Sequence, residues 1–163
     1  MKSEYHIPTS SFTQEISALP GGEVVEKCIQ CGICTASCEV ARVSERYHPR
    51  KLIQKILIGK RKEVLESDLP WLCMTCRLCE ERCQEGVSPA DIFQVVRALA
   101  AKEGFVPKIF ANAVDLVLRD GWLLAASYSD FIEDSREDMG LDADLHWDNT
   151  FVQRLKAMLL GGA

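Results

Sequence analysis

The sequence predicts a mainly α-helical protein organised around a repeated cysteine motif. Apolar residues recur at helical spacing in several segments, and no stretch of any length alternates apolar and polar residues as a half-buried strand would. All eight cysteines lie between Cys28 and Cys83, in two copies of one pattern. We therefore expect a helical frame around this stretch, with an arm before it and a helical extension after it.

Both cysteine motifs have the spacing C-x2-C-x2-C-x3-C. The first is Cys28-Ile-Gln-Cys-Gly-Ile-Cys-Thr-Ala-Ser-Cys38, and the second is Cys73-Met-Thr-Cys-Arg-Leu-Cys-Glu-Glu-Arg-Cys83. Bacterial ferredoxins with two [4Fe–4S] clusters use this spacing, and the last cysteine of each motif binds the cluster of the other. The spacing thus predicts crossed ligand sets, with Cys28, Cys31, Cys34 and Cys83 on the first cluster and Cys73, Cys76, Cys79 and Cys38 on the second.

Two other uses of the cysteines fit less well. Zinc sites are built from paired C-x2-C units, so the third cysteine of each motif would have no role in them. Disulfides need an oxidising compartment. The N-terminus shows no secretory signal, and no apolar run of about 18 residues could span a membrane. We therefore expect a cytoplasmic protein whose cysteines bind metal.

Charge narrows the range of partners. The 163 residues carry a net charge of −5, which argues against general binding to nucleic acid. Two segments are strongly biased. Residues 42–62 contain eight Lys or Arg and only one acid, whereas residues 130–148 contain eight acids and one Arg. Either segment could dock a partner protein, or both could be ordinary solvated surface.

The first half of the chain divides at glycines and prolines. Residues 1–22 form an arm in which a short helix beginning near Ser10 ends at Pro20-Gly21-Gly22. This arm would either lie over the body or a partner, or be partly disordered. A helix is expected after Cys34, continuing through Cys38 to Val43. A further helix begins at Pro49 and stops at Gly59, and a helical turn follows over residues 63–66.

The second half of the chain shows clear helix signals. Ser88 is a good N-cap, Pro89 suits the first helical position, and Gly104 ends the helix. Another helix starts at Pro107. Its apolar residues are expected to face inward, and they are Ile109, Phe110, Ala113, Val114, Val117 and Leu118. The predicted domains are therefore an arm at 1–22, a cluster-binding domain at 23–104, and a helical extension at 105–163 that contains the acidic segment.

Three pieces of the chain, in this order, resemble the C subunit of heterodisulfide reductase. They are the first cysteine motif, the segment Arg50-Lys-Leu-Ile-Gln-Lys-Ile-Leu-Ile-Gly59, and Trp71-Leu-Cys-Met-Thr-Cys-Arg-Leu-Cys-Glu-Glu-Arg-Cys83 with Gly86-Val87 after it. The likeness covers residues 23–104. It implies an α-helical ferredoxin whose two [4Fe–4S] clusters pass electrons from a flavin-containing A subunit to a catalytic B subunit that acts on disulfides.

The chain departs from methanogen members of that family at two points. Glu39 and Gln84 stand where those members commonly have proline, and the acidic segment 130–148 is not a feature recognised in them. The sequence looks more like the heterodisulfide reductase-like proteins of sulfur metabolism.

The residues themselves suggest an electron carrier without catalytic residues. The sequence has no nucleophile–base pair, no phosphate-binding glycine loop and no nucleotide fingerprint. Two alternatives stay open. One is the iron–sulfur component of another oxidoreductase, of the succinate dehydrogenase or glycolate oxidase type. The other is a non-redox protein in which clusters or zinc are structural.

Overall fold

The computed structural model describes residues 10–120, 135, 137–141 and 149–160. Within these ranges the chain is helical and contains no strand, which confirms the predicted mainly α class. The α-helices are α1 Ser11–Ser17, α2 Ile33–Ala36, α3 Glu39–Val43, α4 Pro49–Leu57, α5 Arg61–Leu65, α6 Leu78–Glu81, α7 Pro89–Lys102, α8 Lys108–Asp120 and α9 Asn149–Leu160. Two 3₁₀ helices, Val25–Lys27 and Leu69–Leu72, directly precede the two cysteine motifs. No helix in the described ranges is both long enough and apolar enough to cross a membrane.

The chain divides into two compact units between Pro107 and Lys108. The core of the first unit is contributed by α1, α4, α5, α7 and the segments between them. Its fully buried members include Phe12, Ile16, Val25, Tyr47, Ile53, Ile56, Val64, Leu65, Ile92, Phe93 and Val96. Burying such side chains contributes roughly 1.5–3 kcal/mol each, so this core can stabilise the loops that carry the cysteines.

The described part of the N-terminal arm is docked on the first unit. Ser10 caps α1 by accepting a hydrogen bond from the Thr13 N–H at 3.1 Å. Phe12 and Ile16 are buried in the core, and the Thr13 hydroxyl donates to the Ile56 carbonyl at 3.0 Å. Of the two alternatives for the arm, packing on the body is therefore correct from residue 10 onward. Residues 1–9 lie outside the described residues.

Helices α4 and α7 begin and end as the sequence predicts. Pro49 and Pro89 occupy the first turns, where a missing N–H costs no hydrogen bond. Ser88 caps α7 by accepting from the Asp91 N–H at 3.4 Å. Gly59 and Gly104 follow the two helix ends with φ angles of +78° and +80°, a conformation that glycine adopts without steric cost.

The helix expected to run from Cys34 to Val43 is instead two helices. Between α2 and α3 the backbone of Cys38 is extended, with φ −86° and ψ 118°. In a continuous helix, the helical rotation would direct the Cys38 side chain away from the second motif. The break frees this residue to approach the second motif, so the prediction of one helix was wrong for a reason connected with the cysteines.

Many bases of the segment 42–62 pair with acids of the same chain. Arg46 lies 2.8 Å from Asp68, and Arg61 lies 2.7 Å from Glu15 and also pairs with Glu103. The Arg61 pairs connect α1, α5 and the end of α7. These contacts indicate that part of the basic segment forms ion pairs within the chain and is not reserved for a partner protein.

The second unit contains α8 and α9, which contact each other. Leu118 and Val152 are the buried side chains among its described residues. Ile109, Phe110 and Val114 are exposed, so their predicted inward orientation was wrong. Among the described residues, the apolar stripe of α8 is therefore only partly buried. The acidic segment 130–148 lies largely outside the described residues.

Candidate iron–sulfur centre

The two cysteine motifs fold into the same local structure. In each motif a 3₁₀ helix leads to the first cysteine, and a four-residue helix, α2 or α6, carries the third. The residues immediately before the second cysteine and immediately after it have positive φ. These angles are +60° and +89° at Gln30 and Gly32, and +52° and +62° at Thr75 and Arg77. The repeat in sequence is thus also a repeat in backbone conformation.

Positive φ turns the loop so that its N–H groups point toward sulfur. The Thr75 N–H donates to Cys73 Sγ at 3.4 Å. In the first motif the Gln30 side chain reaches the corresponding sulfur, with its Nε2 donating to Cys28 Sγ at 3.3 Å. Because a sulfur ligand is negatively charged when it binds metal, each such donor stabilises the ligated form.

Each motif is also hydrogen-bonded to the start of a longer helix, α4 for the first motif and α7 for the second. In the first motif the Arg50 N–H at the start of α4 donates to the hydroxyl of Thr35, the residue after the third cysteine, at 3.0 Å. At the equivalent place in the second motif, the Ser88 hydroxyl donates to Glu80 Oε2 at 3.1 Å. Both short helices are therefore anchored to long core helices.

Arg77 occupies the position that Gly32 fills in the first motif, although an L-residue is strained at this φ. Its guanidinium pairs with Asp91 at 2.6 Å and with Glu80 at 2.8 Å. These partners raise the Arg77 pKa, the Asp91 hydrogen bond contributing most. The pairs offset the backbone strain and connect the second motif to α7.

The cysteines line two separate cavities. The first cavity is lined by Cys28, Cys31, Cys34 and Cys83. The second is lined by Cys38, Cys73, Cys76 and Cys79. Each cavity therefore combines three cysteines of one motif with the last cysteine of the other.

The thiols within each cavity interact electrostatically. Burial raises the pKa of Cys28, and the nearby Cys83 and Cys31 sulfurs raise it further. Burial likewise raises the pKa of Cys79 to about 11, with Cys73 the next cause and Cys34 of the first motif after it. Neutral thiols are therefore favoured at Cys28 and Cys79 in the absence of metal, and metal binding must displace their protons.

The cysteines are not arranged as a site for a single metal ion. In the described part of the chain, no three His, Cys, Asp or Glu side chains lie close enough to hold one metal ion. Apolar residues of the core, among them Ile53 and Phe93, form part of the cavity walls. In the second cavity the Tyr47 hydroxyl is buried, with no hydrogen-bond partner among the described residues. A sulfur-rich acceptor in this cavity would satisfy that donor.

The walls of the second cavity are held by a side chain that no sequence motif singles out. Arg97 on α7 donates to the carbonyls of Pro70 at 2.9 Å and Cys73 at 2.5 Å. Its guanidinium carbon also lies 5.9 Å from the ring centroid of Trp71. Arg97 thereby fixes the segment that enters the second motif. Tyr47 was missed as well, because neither residue belongs to a motif and both act through contacts distant in sequence.

Comparison with known proteins agrees with this geometry. A family model described as a 4Fe-4S dicluster domain matches residues 24–87. The iron-sulfur C subunit of the CoB–CoM heterodisulfide reductase of Methanopyrus kandleri is 38% identical over 118 residues, or 72% of this chain and 60% of that protein. The iron-sulfur C 2 subunit of the Methanocaldococcus jannaschii enzyme is 34% identical over 142 residues, covering 81% of this chain and 74% of that protein.

Another similar protein covers a shorter stretch at higher identity. The C subunit of the ferredoxin:CoB-CoM heterodisulfide reductase of Methanosarcina acetivorans is 46% identical over 80 residues, which are 49% of this chain and 32% of that protein. The chain thus spans less than two thirds of the Methanosarcina acetivorans and Methanopyrus kandleri relatives. These matches, the cysteine pattern and the helical fold support two [4Fe–4S] clusters as the cofactors.

Proposed function

We propose that this chain, which belongs to the family of heterodisulfide reductase C subunits, relays single electrons between two partner proteins. The family provides the class of complex, because its members are named as parts of a larger enzyme. The chain's own structure provides a physical route. A [4Fe–4S] cluster accepts and releases one electron at a time, whereas a disulfide takes two.

We further propose the crossed ligand sets. Cys28, Cys31, Cys34 and Cys83 would hold the first cluster, and Cys73, Cys76, Cys79 and Cys38 the second. The two cavities support this proposal, because each collects the same four cysteines that the crossed arrangement requires. The extended backbone at Cys38 supports it further, since this break lets the first motif contribute its last cysteine to the second cavity.

The observation that carries the relay is the proximity of the two cavities. Helices α2 and α6 contact each other, and they carry the third cysteine of each motif. Cys34 is close enough to Cys79 to raise its pKa. These two sulfurs therefore lie between the cavities, where they provide a short route for an electron.

The proposed entry and exit points are the exposed cysteines, one in each cavity. Cys31 and Cys76 are exposed, whereas the other six cysteines are partly buried. The neighbouring Ile29 and Met74 are also exposed, at 63% and 65%. Each cluster would thus have one edge toward the other cluster and one edge accessible to a partner.

The proposed partners are a flavin-containing protein like the A subunit of that family's complexes and a catalytic protein like the B subunit, which acts on a thiol or disulfide. The chain itself would perform no bond chemistry, and its residues would hold the clusters and exclude water. The cytoplasm is the proposed location, and a sulfur-carrying thiol in sulfur metabolism is the proposed terminal substrate class. We propose the acidic segment 130–148 and the exposed stripe of α8 as the docking segments for these partners.

Co-purification from the native host tests this function. We expect the tagged full-length chain to retain a flavoprotein and a cysteine-rich catalytic protein, with iron and sulfide near eight each per chain. The clusters should then be reduced by the flavoprotein and reoxidised by the catalytic partner with its disulfide substrate. A chain that holds zinc and no sulfide would exclude any relay. Retention of a succinate dehydrogenase- or glycolate oxidase-type partner would favour that alternative.

A further inference from the structure

The residue two positions after the first cysteine of each motif interacts with its sulfur through the backbone, but only the first motif adds a side-chain donor from the same residue. The backbone and the side-chain amide of Gln30 both interact with the Cys28 sulfur. In the second motif the matching residue is Thr75, whose backbone N–H is the group bonded to Cys73. Its side chain lacks the length and the amide of Gln30. The repeat of backbone structure is therefore not a repeat of side-chain donors.

A side chain that carries a donor reaches the second cavity from outside the second motif, at Tyr47. It lies in the link between the motifs, is 1% exposed, and lines the cavity that contains Cys73. Its ring packs edge-on against Phe93, with centroids 6.4 Å apart and planes at 73°, which fixes the direction of the hydroxyl. This hydroxyl is buried and has no hydrogen-bond partner among the described residues.

The acceptors around the Tyr47 hydroxyl are the cysteine sulfurs of this cavity, and Cys73 is the one placed to accept from it, ahead of Cys38 and Cys79. A tyrosine hydroxyl keeps its proton at neutral pH and can donate it in a hydrogen bond. A buried hydroxyl without a hydrogen bond is destabilising, so a ligating sulfur, which carries negative charge, is a strongly favoured acceptor beside it.

We propose that Tyr47 is the hydrogen-bond donor that tunes the second cluster through the Cys73 sulfur, and that Gln30 tunes the first cluster through Cys28. A donor to sulfur stabilises the reduced cluster more than the oxidised one, because the reduced cluster carries one more negative charge. Each donor therefore raises the reduction potential of its own cluster. This inference rests on the ligand sets proposed above. It adds that one side chain per cluster, the buried Tyr47 and the half-buried Gln30, raises the potential of that cluster.

The test is a redox titration of the full-length chain with both clusters reconstituted, followed by EPR. Cys31→Ser and Cys76→Ser first identify which signal belongs to which motif. Tyr47→Phe removes one oxygen and keeps the ring. We expect it to change the electron partition between the clusters about tenfold, which is 59 mV for a one-electron couple. The second-motif cluster becomes harder to reduce, and the first-motif cluster keeps its potential.

Gln30→Met is the matched variant in the first motif, because it keeps an unbranched side chain and removes the amide. It should shift the potential of the first-motif cluster alone, in the same negative direction. Equal shifts of both clusters in either variant would indicate a general structural effect and would overturn the proposal. An unchanged second-motif potential in Tyr47→Phe would overturn it as well.

A second measurement covers the case in which Tyr47→Phe does not fold. Tyr5→Phe and Tyr128→Phe leave Tyr47 as the remaining tyrosine of the three in the sequence. Incorporation of a fluorotyrosine then makes the hydroxyl a stronger donor with little change of shape. We expect the second-motif potential to rise, and no rise would contradict the proposal.

These titrations need no partner protein, so their outcome is independent of the relay itself. Failure to find the proposed partners would leave the two shifts standing. Conversely, unchanged potentials would remove the role of Tyr47 while the relay and the ligand sets remained.

Discussion

Replacement of Arg97 by methionine should loosen the second motif while leaving the first intact. Arg97 donates hydrogen bonds to the carbonyls of Pro70 and Cys73, which lie on either side of Trp71 in the chain, and its guanidinium lies over the Trp71 ring. A hydrogen bond to a charged group contributes about 1.5–3 kcal/mol. Water can replace part of this at a half-buried site, so we expect a total loss of about 2–4 kcal/mol from the two bonds.

The loss should appear locally, because both carbonyls belong to the entrance of one motif. Incubation with an iron chelator, followed by EPR of each cluster, measures how fast each is lost. We expect Arg97→Met to accelerate loss of the second-motif cluster and to lower the free energy of unfolding in urea. Lysine at this position should recover little, because it lacks the planar fork that reaches both carbonyls.

Arg46→Met is the matched control. Arg46 also pairs across the chain, with Asp68 at 2.8 Å, but its side chain is 69% exposed. An exposed pair contributes about 0–1 kcal/mol, so this variant should behave nearly like the unaltered protein. If Arg97→Met and Arg46→Met have the same effect, or if Arg97→Met releases both clusters equally, the reasoning about Arg97 is refuted.

Three further substitutions test the frame around the clusters. Phe12→Ala should lower the free energy of unfolding in urea by about 3–5 kcal/mol, because it opens a cavity in the core; a loss below about 1 kcal/mol would show that α1 is not docked. Thr13→Val should cost about 0.5–1.5 kcal/mol in the same assay, the net value of one hydrogen bond, because Ser10 Oγ and the Gly59 N–H still donate to the Ile56 carbonyl. No loss would show that the Thr13 hydrogen bond is unimportant. Gly32→Ala should cost about 1–2 kcal/mol, since alanine is strained at a φ of +89°, and should weaken retention of the first-motif cluster under chelator; equal loss of both clusters would contradict this.

The cysteine spacing predicts two ligand sets, and the two cavities are lined by the same two groups of four cysteines. That these groups ligate the clusters stays a prediction. That inference depends on covalent geometry, since a C-x2-C-x2-C loop can surround one side of a cluster and leaves its last cysteine for another. The residues that start and end a helix could also be predicted, because their effect depends only on neighbouring positions in the chain. Ser88 and Pro89 start α7, and Gly104 follows its end, as expected from caps and backbone preferences.

What the sequence could not predict depends on contacts between distant residues. Tyr47 and Arg97 belong to no motif, and their roles follow from where the core places their polar ends. The break at Cys38 was missed because the residues around it favour a helix. The backbone is nevertheless extended at Cys38, where the side chain lines the second cavity. The exposed stripe of α8 was misjudged because amphipathic spacing shows that a helix has an apolar side without showing what covers it. The division of the chain at residues 22 and 104 stays a prediction.

The most direct test of the central claim is the effect of Cys38→Ala on the two clusters of the full-length chain. With Cys31→Ser and Cys76→Ser as references for the two EPR signals, we predict that Cys38→Ala abolishes or strongly alters the second-motif signal and preserves the first. Cys83→Ala should do the reverse. Selective loss of the first-motif signal in Cys38→Ala would show that each motif binds its own cluster, and it would contradict the crossed centre on which the relay is built.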